Sequence, residues 1–211
     1  MRRKGVGIFL GALLPVLAAA DPADFSDSQS QRRLAAGEVA VHASVSDNRH
    51  GGQVSAAVMI HARPETVWDV MRDCEQAPSY IPGLRRCHRL SGAADGSWEI
   101  IEHEVKYSWL MPAVRSVLRL DYRPWQIDFR RVSGDLKAEQ GMWLVQRLPD
   151  SSATIVEYEL YVEPGFWVPP ALVRASLRRE LPAALEALRR RVEGLEAAAL
   201  ADSTLQPPTA K

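Results

Sequence analysis

Residues 127–143 read IDFRRVSGDLKAEQGMW. Two stretches of strand character, near Ile127–Val132 and from Leu136 to about Leu148, flank Ser133-Gly134-Asp135, a run of residue types that favours a tight reversal. The pattern predicts an antiparallel hairpin whose second strand continues through Gly141-Met142-Trp143. Period-two alternation extends outward from this hairpin in both directions, over residues 86–163. It predicts further strands near Cys87–Ser91, Trp98–Trp109, Val114–Tyr122 and Thr154–Val162, separated by Gly-, Pro-, Asp- and Ser-rich turns. Val114, Ser116, Leu118, Leu120 and Tyr122 alternate with Arg115, Arg119, Asp121 and Arg123, and Val156, Tyr158, Leu160 and Val162 alternate with Glu157, Glu159 and Glu163. One apolar and one wet face per strand imply an antiparallel sheet covered on one side only.

The cover is predicted at the C-terminal end. From Ala171 to about Leu200 the chain is helical in pattern, with Leu177, Leu181, Leu185, Leu188, Val192 and Leu195 on one stripe. Pro182 lies within it and is expected to kink or offset the first turns. Upstream, Gln53–His61 reads as a strand, and Arg63-Pro64-Glu65 opens a helix whose apolar face is Val67, Trp68, Val70 and Met71. Ala77-Pro78 and Ile81-Pro82-Gly83 break any longer helix into short pieces. The expected organisation is a signal peptide at 1–20, a flexible lead-in at 21–52 (with a loose alternation over Val39–Val45), one folded domain at 53–197 and a disordered tail at 198–211.

A strand, short helices, a run of antiparallel strands and a long last helix is the helix-grip order of elements. Ala62-Arg63-Pro64-Glu65-Thr66-Val67-Trp68 and Pro78-Ser79-Tyr80-Ile81-Pro82-Gly83 resemble the opening of the START-like (SRPBCC) polyketide cyclase/dehydrase and coenzyme Q-binding family. Ser133-Gly134-Asp135-Leu136-Lys137, Gly141-Met142-Trp143 and Thr154-Ile155-Val156-Glu157-Tyr158 resemble its later strands, and Val168-Pro169-Pro170-Ala171-Leu172-Val173 resembles the approach to its last helix. The resemblance implies an α+β helix-grip fold: a curved antiparallel sheet wrapped around the long C-terminal helix, with a cavity between them. Members hold sterols, phospholipids, quinones or polyketides there, and a minority catalyse cyclisation or dehydration. Fold alone does not choose among these.

The N-terminus bears on compartment. Met1-Arg2-Arg3-Lys4 is cationic, Val6 to Ala20 is uncharged and largely apolar, and the run closes on Ala18-Ala19-Ala20 before the polar Asp21. These are the marks of a secretory leader cleaved near Ala20, which sets the expectation of a periplasmic or secreted protein; the other reading is a retained anchor, although the run is shorter than the roughly 20 residues of a full span. The chain has 26 basic and 26 acidic residues, and losing Arg2, Arg3 and Lys4 leaves 23 against 26. A net charge of −3 gives no overall attraction to nucleic acid. The two cysteines, Cys74 and Cys87, either form a disulfide, which would stabilise the fold by about 3 kcal/mol, or stand as buried thiols. With no CxxC, HExxH or histidine cluster, no metal and no cofactor are expected.

The residues expected to line a cavity are Trp68, Tyr80, Trp109, Leu118, Leu120, Tyr122, Phe129, Trp143, Tyr158, Leu160 and Trp167, all of which have plain core packing as the alternative. Phe166-Trp167-Val168-Pro169-Pro170 reads as a cavity mouth that touches membrane, or as a staple fixing the last helix. Arg174, Arg178, Arg179, Arg189, Arg190 and Arg191 read as a solvated face paired with Glu180, Glu186 and Glu193, or as a surface for anionic headgroups. His103 shares a strand face with Ile101 and Val105, whereas Glu102 and Glu104 face the other way, so the three cannot act as one acid–base cluster. No catalytic residue is assigned. The expected function is reversible binding or carriage of an apolar small molecule such as a lipid or quinone. A cyclase or dehydratase acting in the same cavity and a protein–protein docking module stand as alternatives, and the enzyme reading requires a buried, pKa-shifted His, Asp or Glu facing the cavity.

Overall fold

The structure is a computed structural model and describes residues 25–45, 51–106, 113–149 and 151–205. The elements run α1 (Ser28–Ala35), β1 (Ala40–Val45), β2 (Gly52–Ile60), α2 (Pro64–Arg72), a 3-10 turn (Ala77–Ser79), β3 (Leu84–Gly92), β4 (Trp98–Val105), β5 (Val114–Arg123), β6 (Gln126–Gly134), β7 (Leu136–Arg147), β8 (Thr154–Pro164) and α3 (Pro170–Leu205). All eight strands form one antiparallel sheet in the order β1-β2-β8-β7-β6-β5-β4-β3. Strands β3 to β8 are a meander, and β2 closes onto β8, so β1 and β2 lie beside the last strand and beneath α3. This is the helix-grip architecture.

The hairpin that opens the sequence reading is β6–β7. Its ladder runs from Gln126–Leu144 to Arg130–Gln140 and then opens. Beyond that point the end of β6 stays with β5, through Ser116–Gly134, and the start of β7 stays with β8, through Leu136–Pro164. Gly134 sits at φ 121°, a backbone angle that side chains rarely adopt, with the Arg115 carbonyl close against it. At Gly141 a Cβ would come within 2.6 Å of the Phe129 ring, so only glycine allows that ring to lie across the strand.

The largest packed cluster joins the concave face of the sheet to the middle of α3: Val58, Ile60, Val145 and Val156 meet Leu185, Leu188 and Val192. Leu195, at the end of the predicted stripe, is partly exposed. The helix runs unbroken through Pro182. Its far half is tied to the start of α2, where Arg63 Nε and Thr66 Oγ1 donate to Glu196 at 2.9 and 2.6 Å and the His61 backbone N–H donates to Glu193 at 3.0 Å.

Two expected boundaries are corrected. The segment predicted as a flexible lead-in holds α1 and β1. Asp27 caps α1 by accepting from the N–H groups of Gln29 and Ser30 at 2.9 and 3.0 Å. Phe25, Leu34 and Ala40 then bury against Ala57 on the convex side of the sheet. Strand β2 is therefore covered on both faces, which accounts for the small Ser55 and Ala57 beneath α1. At the other end α3 extends to Leu205, past the predicted boundary at 197, because Ala197, Ala198, Ala199, Leu200 and Ala201 are good helix formers. The expected leader, 1–20, and the residues after 205 lie outside the described residues. Among the described residues no helix is long and apolar enough to cross a membrane.

Candidate functional site

Away from the tight cluster, sheet and α3 part and leave a partly open cavity of about 320 Å³ between them. Ligand sites commonly span roughly 300–1,000 Å³. Strand alternation supplies its walls: Ile101, His103 and Val105 from β4, Leu120 from β5, Ile127 from β6, Trp143 from β7, and Tyr158, Leu160 and Val162 from β8. The α2–β3 connection closes one end with Tyr80, Ile81 and Leu84, and α3 roofs it with Leu181, Ala184 and Leu188. Phe166 and Val168, on the β8–α3 connection, line it from the other side, while Trp167 between them is 76% exposed.

Five of the predicted lining residues, Tyr80, Leu120, Trp143, Tyr158 and Leu160, come together on this surface. Leu118 and Phe129 share its face of the sheet but are packed into the wall, with the Phe129 ring stacked on Tyr158 at 5.8 Å between centroids. Three expectations are corrected. Trp68 packs edge-on against Tyr122 and Trp125, at 6.3 and 5.7 Å, outside the cavity. Tyr122 is held in that group by Arg72 over its ring and by donating its hydroxyl to Glu99. Trp167 faces outward because its neighbours Phe166 and Val168 take the inward positions. Trp109 lies outside the described residues.

The apolar wall carries a few polar groups; sequence reasoning named Tyr80, His103 and the two cysteines among them but not Glu139. Glu139 lies in phase with Gly141 and Trp143, so it points to the concave face just where the β6–β7 ladder opens. Burial pushes its carboxyl above the usual range, against a hydrogen bond from Ser116 and the charge of Arg131. Its Oε2 has no hydrogen-bond partner, nor does Arg131 Nε, although Arg131 Nη2 donates to the Gly134 carbonyl at 2.8 Å. The phase of Glu139 is readable from the sequence; the ladder opening that leaves its oxygen unpaired is not. His103, the cross-strand partner of Ser116, lies on the β4 wall 3.1 Å from Cys87 Sγ, and burial lowers its pKa to about 4, so the imidazole is neutral. Burial pushes the Tyr80 hydroxyl up to about 12, and it donates to the Val70 carbonyl at 3.3 Å. Cys74 and Cys87 are joined as a disulfide, with Cα atoms 5.4 Å apart, which ties the α2–β3 connection to β3. Glu102 sits on the outer face, paired with Arg115. On α3, Arg179 and Arg190 pair with Glu180 and Glu186 at 4.0 and 3.8 Å, the solvated arrangement.

The sequence profile of the family described as polyketide cyclase/dehydrase and lipid transport matches residues 60–189, well over half of the chain. The chain belongs to this family. Its fold is also that of solved members of the START superfamily. A START superfamily protein from Mycobacterium smegmatis is 24% identical, with a TM-score of 0.61 over 68% of this chain and 98% of that one. A STAR-related lipid transfer protein from Xanthomonas axonopodis is 16% identical, with a TM-score of 0.63 over 73% of this chain and 93% of that one. An aromatase/cyclase from a Streptomyces species is 16% identical, with a TM-score of 0.57 over 72% and 96%. At these identities the likeness concerns the fold. No curated protein matches the chain in sequence. The chain thus combines membership of this family and a START-type fold with a mainly apolar cavity between sheet and helix.

Proposed function

We propose that the protein is an exported carrier that takes up an apolar molecule, of lipid or quinone type, and releases it at a membrane. The observation that carries this reading is the cavity: a partly open, mainly hydrophobic space between the sheet and α3, with only a few polar groups in its wall. Driving force comes from removing the ligand's surface from water, at about 25 cal/mol per Å² of apolar area. Trp167 and Phe166, 76% and 41% exposed, form an aromatic tip at the cavity's edge, suited to a membrane interface. Export is supported by the leader-like first 20 residues and by the Cys74–Cys87 disulfide, a bond that persists in oxidising compartments. A lipid transfer protein among the structural relatives agrees with carriage.

The test is transfer of a fluorescent phospholipid or quinone between donor and acceptor vesicles. Acceleration in proportion to protein concentration, reduced in Trp167→Ala, is expected; transfer no faster than the protein-free rate overturns the carrier reading.

A second reading, a cyclase or dehydratase, is favoured by Glu139 and His103, two buried groups with shifted pKa values inside the cavity. An aromatase/cyclase among the relatives agrees with it. It requires that Glu139→Gln or His103→Asn abolish turnover of a poly-β-carbonyl substrate while leaving its binding intact.

A further inference from the structure

Cys74, Cys87 and His103 meet on one wall of the cavity although they arrive from three places in the chain. Cys87 and His103 are direct cross-strand partners in the β3–β4 ladder, and Cys74 reaches them from the turn that follows α2. Their two sulfurs and one imidazole nitrogen all lie within 4.8 Å of one another. His103 Nε2 is 3.1 Å from Cys87 Sγ. The spacing in sequence forms no metal motif, which is why sequence reading predicts no metal; the sheet creates the cluster. Glu99, the nearest lining carboxylate on β4, is already engaged by Tyr122 and, at 3.3 Å, by Arg89, so it does not compete for this corner.

We propose that reduction of the Cys74–Cys87 disulfide converts this corner into a Cys2His site for zinc or a cation of similar softness, with its fourth coordination position open to the cavity. A dithiol reductant supplies two electrons and two protons, leaving as its own disulfide and releasing Cys74 and Cys87 as thiols. A divalent zinc ion then displaces both thiol protons to solvent and takes the lone pair of the His103 imidazole. Zinc–sulfur and zinc–nitrogen bonds of about 2.3 and 2.0 Å set tetrahedral donors roughly 3.5–3.8 Å apart. The Cys87–His103 pair is already near that spacing, and the sulfurs need only part from bonded contact. Thiolate with imidazole selects zinc or copper(I) over magnesium, calcium or manganese. Three protein ligands with one open position is the arrangement of zinc sites that bind or polarise a substrate oxygen, as opposed to closed structural sites. Here the open position faces the space that holds the apolar molecule, so a hydroxyl or carbonyl oxygen of that molecule is the group it would take. The oxidised protein has no such site. Metal binding is thereby set by the redox state of the compartment and does not depend on the carrier reading; only the oxygen named for the open position rests on that reading.

The experiment titrates the full chain, oxidised and dithiol-reduced, with Co²⁺ alone under anaerobic conditions after the reductant is removed, followed by Zn²⁺ in competition with a chromophoric chelator. The reduced protein is expected to bind one equivalent of cobalt with tetrahedral ligand-field bands and a thiolate charge-transfer band, both abolished by zinc. The oxidised protein should show neither. Cys74→Ser and Cys87→Ser should each weaken the charge-transfer band, the double variant should abolish it, and His103→Ala should lower zinc affinity at least about tenfold. Reduced protein without the bands overturns the proposal, as does a double serine variant that retains them. Circular dichroism separates folding from binding: a reduced chain that unfolds and regains structure on adding zinc supports the site, and one that stays unfolded with zinc overturns it.

Discussion

His103 is where a single residue's chemistry is most exposed to test. Its ring lines the cavity, and the loss of hydration lowers its pKa from an ordinary value near 6.5 to about 4. Between those values the unfolded chain holds a proton that the folded chain does not, so stability rises with pH across that window and falls on acidification. One full proton corresponds to about 1.4 kcal/mol per pH unit. The expected outcome is a denaturation midpoint that drops as pH falls from 6.5 to 4, with the drop smaller in His103→Gln. Parallel curves for the two proteins would show that the imidazole is solvated. Glu139 has the opposite sign: its raised pKa gives stability at low pH that fades as the carboxyl ionises, which is why the comparison needs the single His103 variant. At this scale alternation in the sequence puts Leu120 on one strand face and Tyr158 with Leu160 on another, and in the structure these faces, with Trp143, line the cavity. It does not tell which large side chains meet a cavity. Trp68 and Tyr122 are as aromatic as Trp143, yet they find each other across α2 and β5 and pack outside it.

Among the elements, the meander and the last helix were legible because their apolar periods are long and clean. Helix α1 was not, because it offers one stripe residue, Leu34, in an otherwise polar segment, and its stability comes from the surface it covers. The trace it leaves is indirect: small residues at Ser55 and Ala57 on the face of β2 opposite Val54, Ala56 and Val58. Leu34 is 2% exposed, and Leu34→Ala is expected to destabilise the domain by roughly 2–5 kcal/mol. Urea unfolding checks this, and an unchanged midpoint would mean that α1 is outside the cooperative unit. Pro182 teaches the converse point. A proline inside a helical pattern predicts a kink or offset, and α3 continues as helix on both sides of it, because packing of Leu185, Leu188 and Val192 on the sheet outweighs one missing backbone bond.

For the whole molecule, element order was enough to recognise the grip, and the family profile over residues 60–189 agrees. The cavity itself was not derivable from the residues, since the same apolar faces would serve a filled core; in the structure the middle of α3 packs on the sheet through Leu185, Leu188 and Val192, while Ser176, Glu180, Leu181 and Ala184 face the open space. The central claim is that this space holds an apolar molecule, and native mass spectrometry of the purified protein, beside Ala184→Phe, tests it most directly. Ala184 lies on the roof of the cavity, so a ring there occupies the ligand's volume. The account predicts one apolar molecule per chain, extractable into organic solvent and lost in Ala184→Phe. A wild-type chain that runs at its bare mass and takes up no lipid or quinone on incubation, or an adduct unchanged in Ala184→Phe, would contradict it.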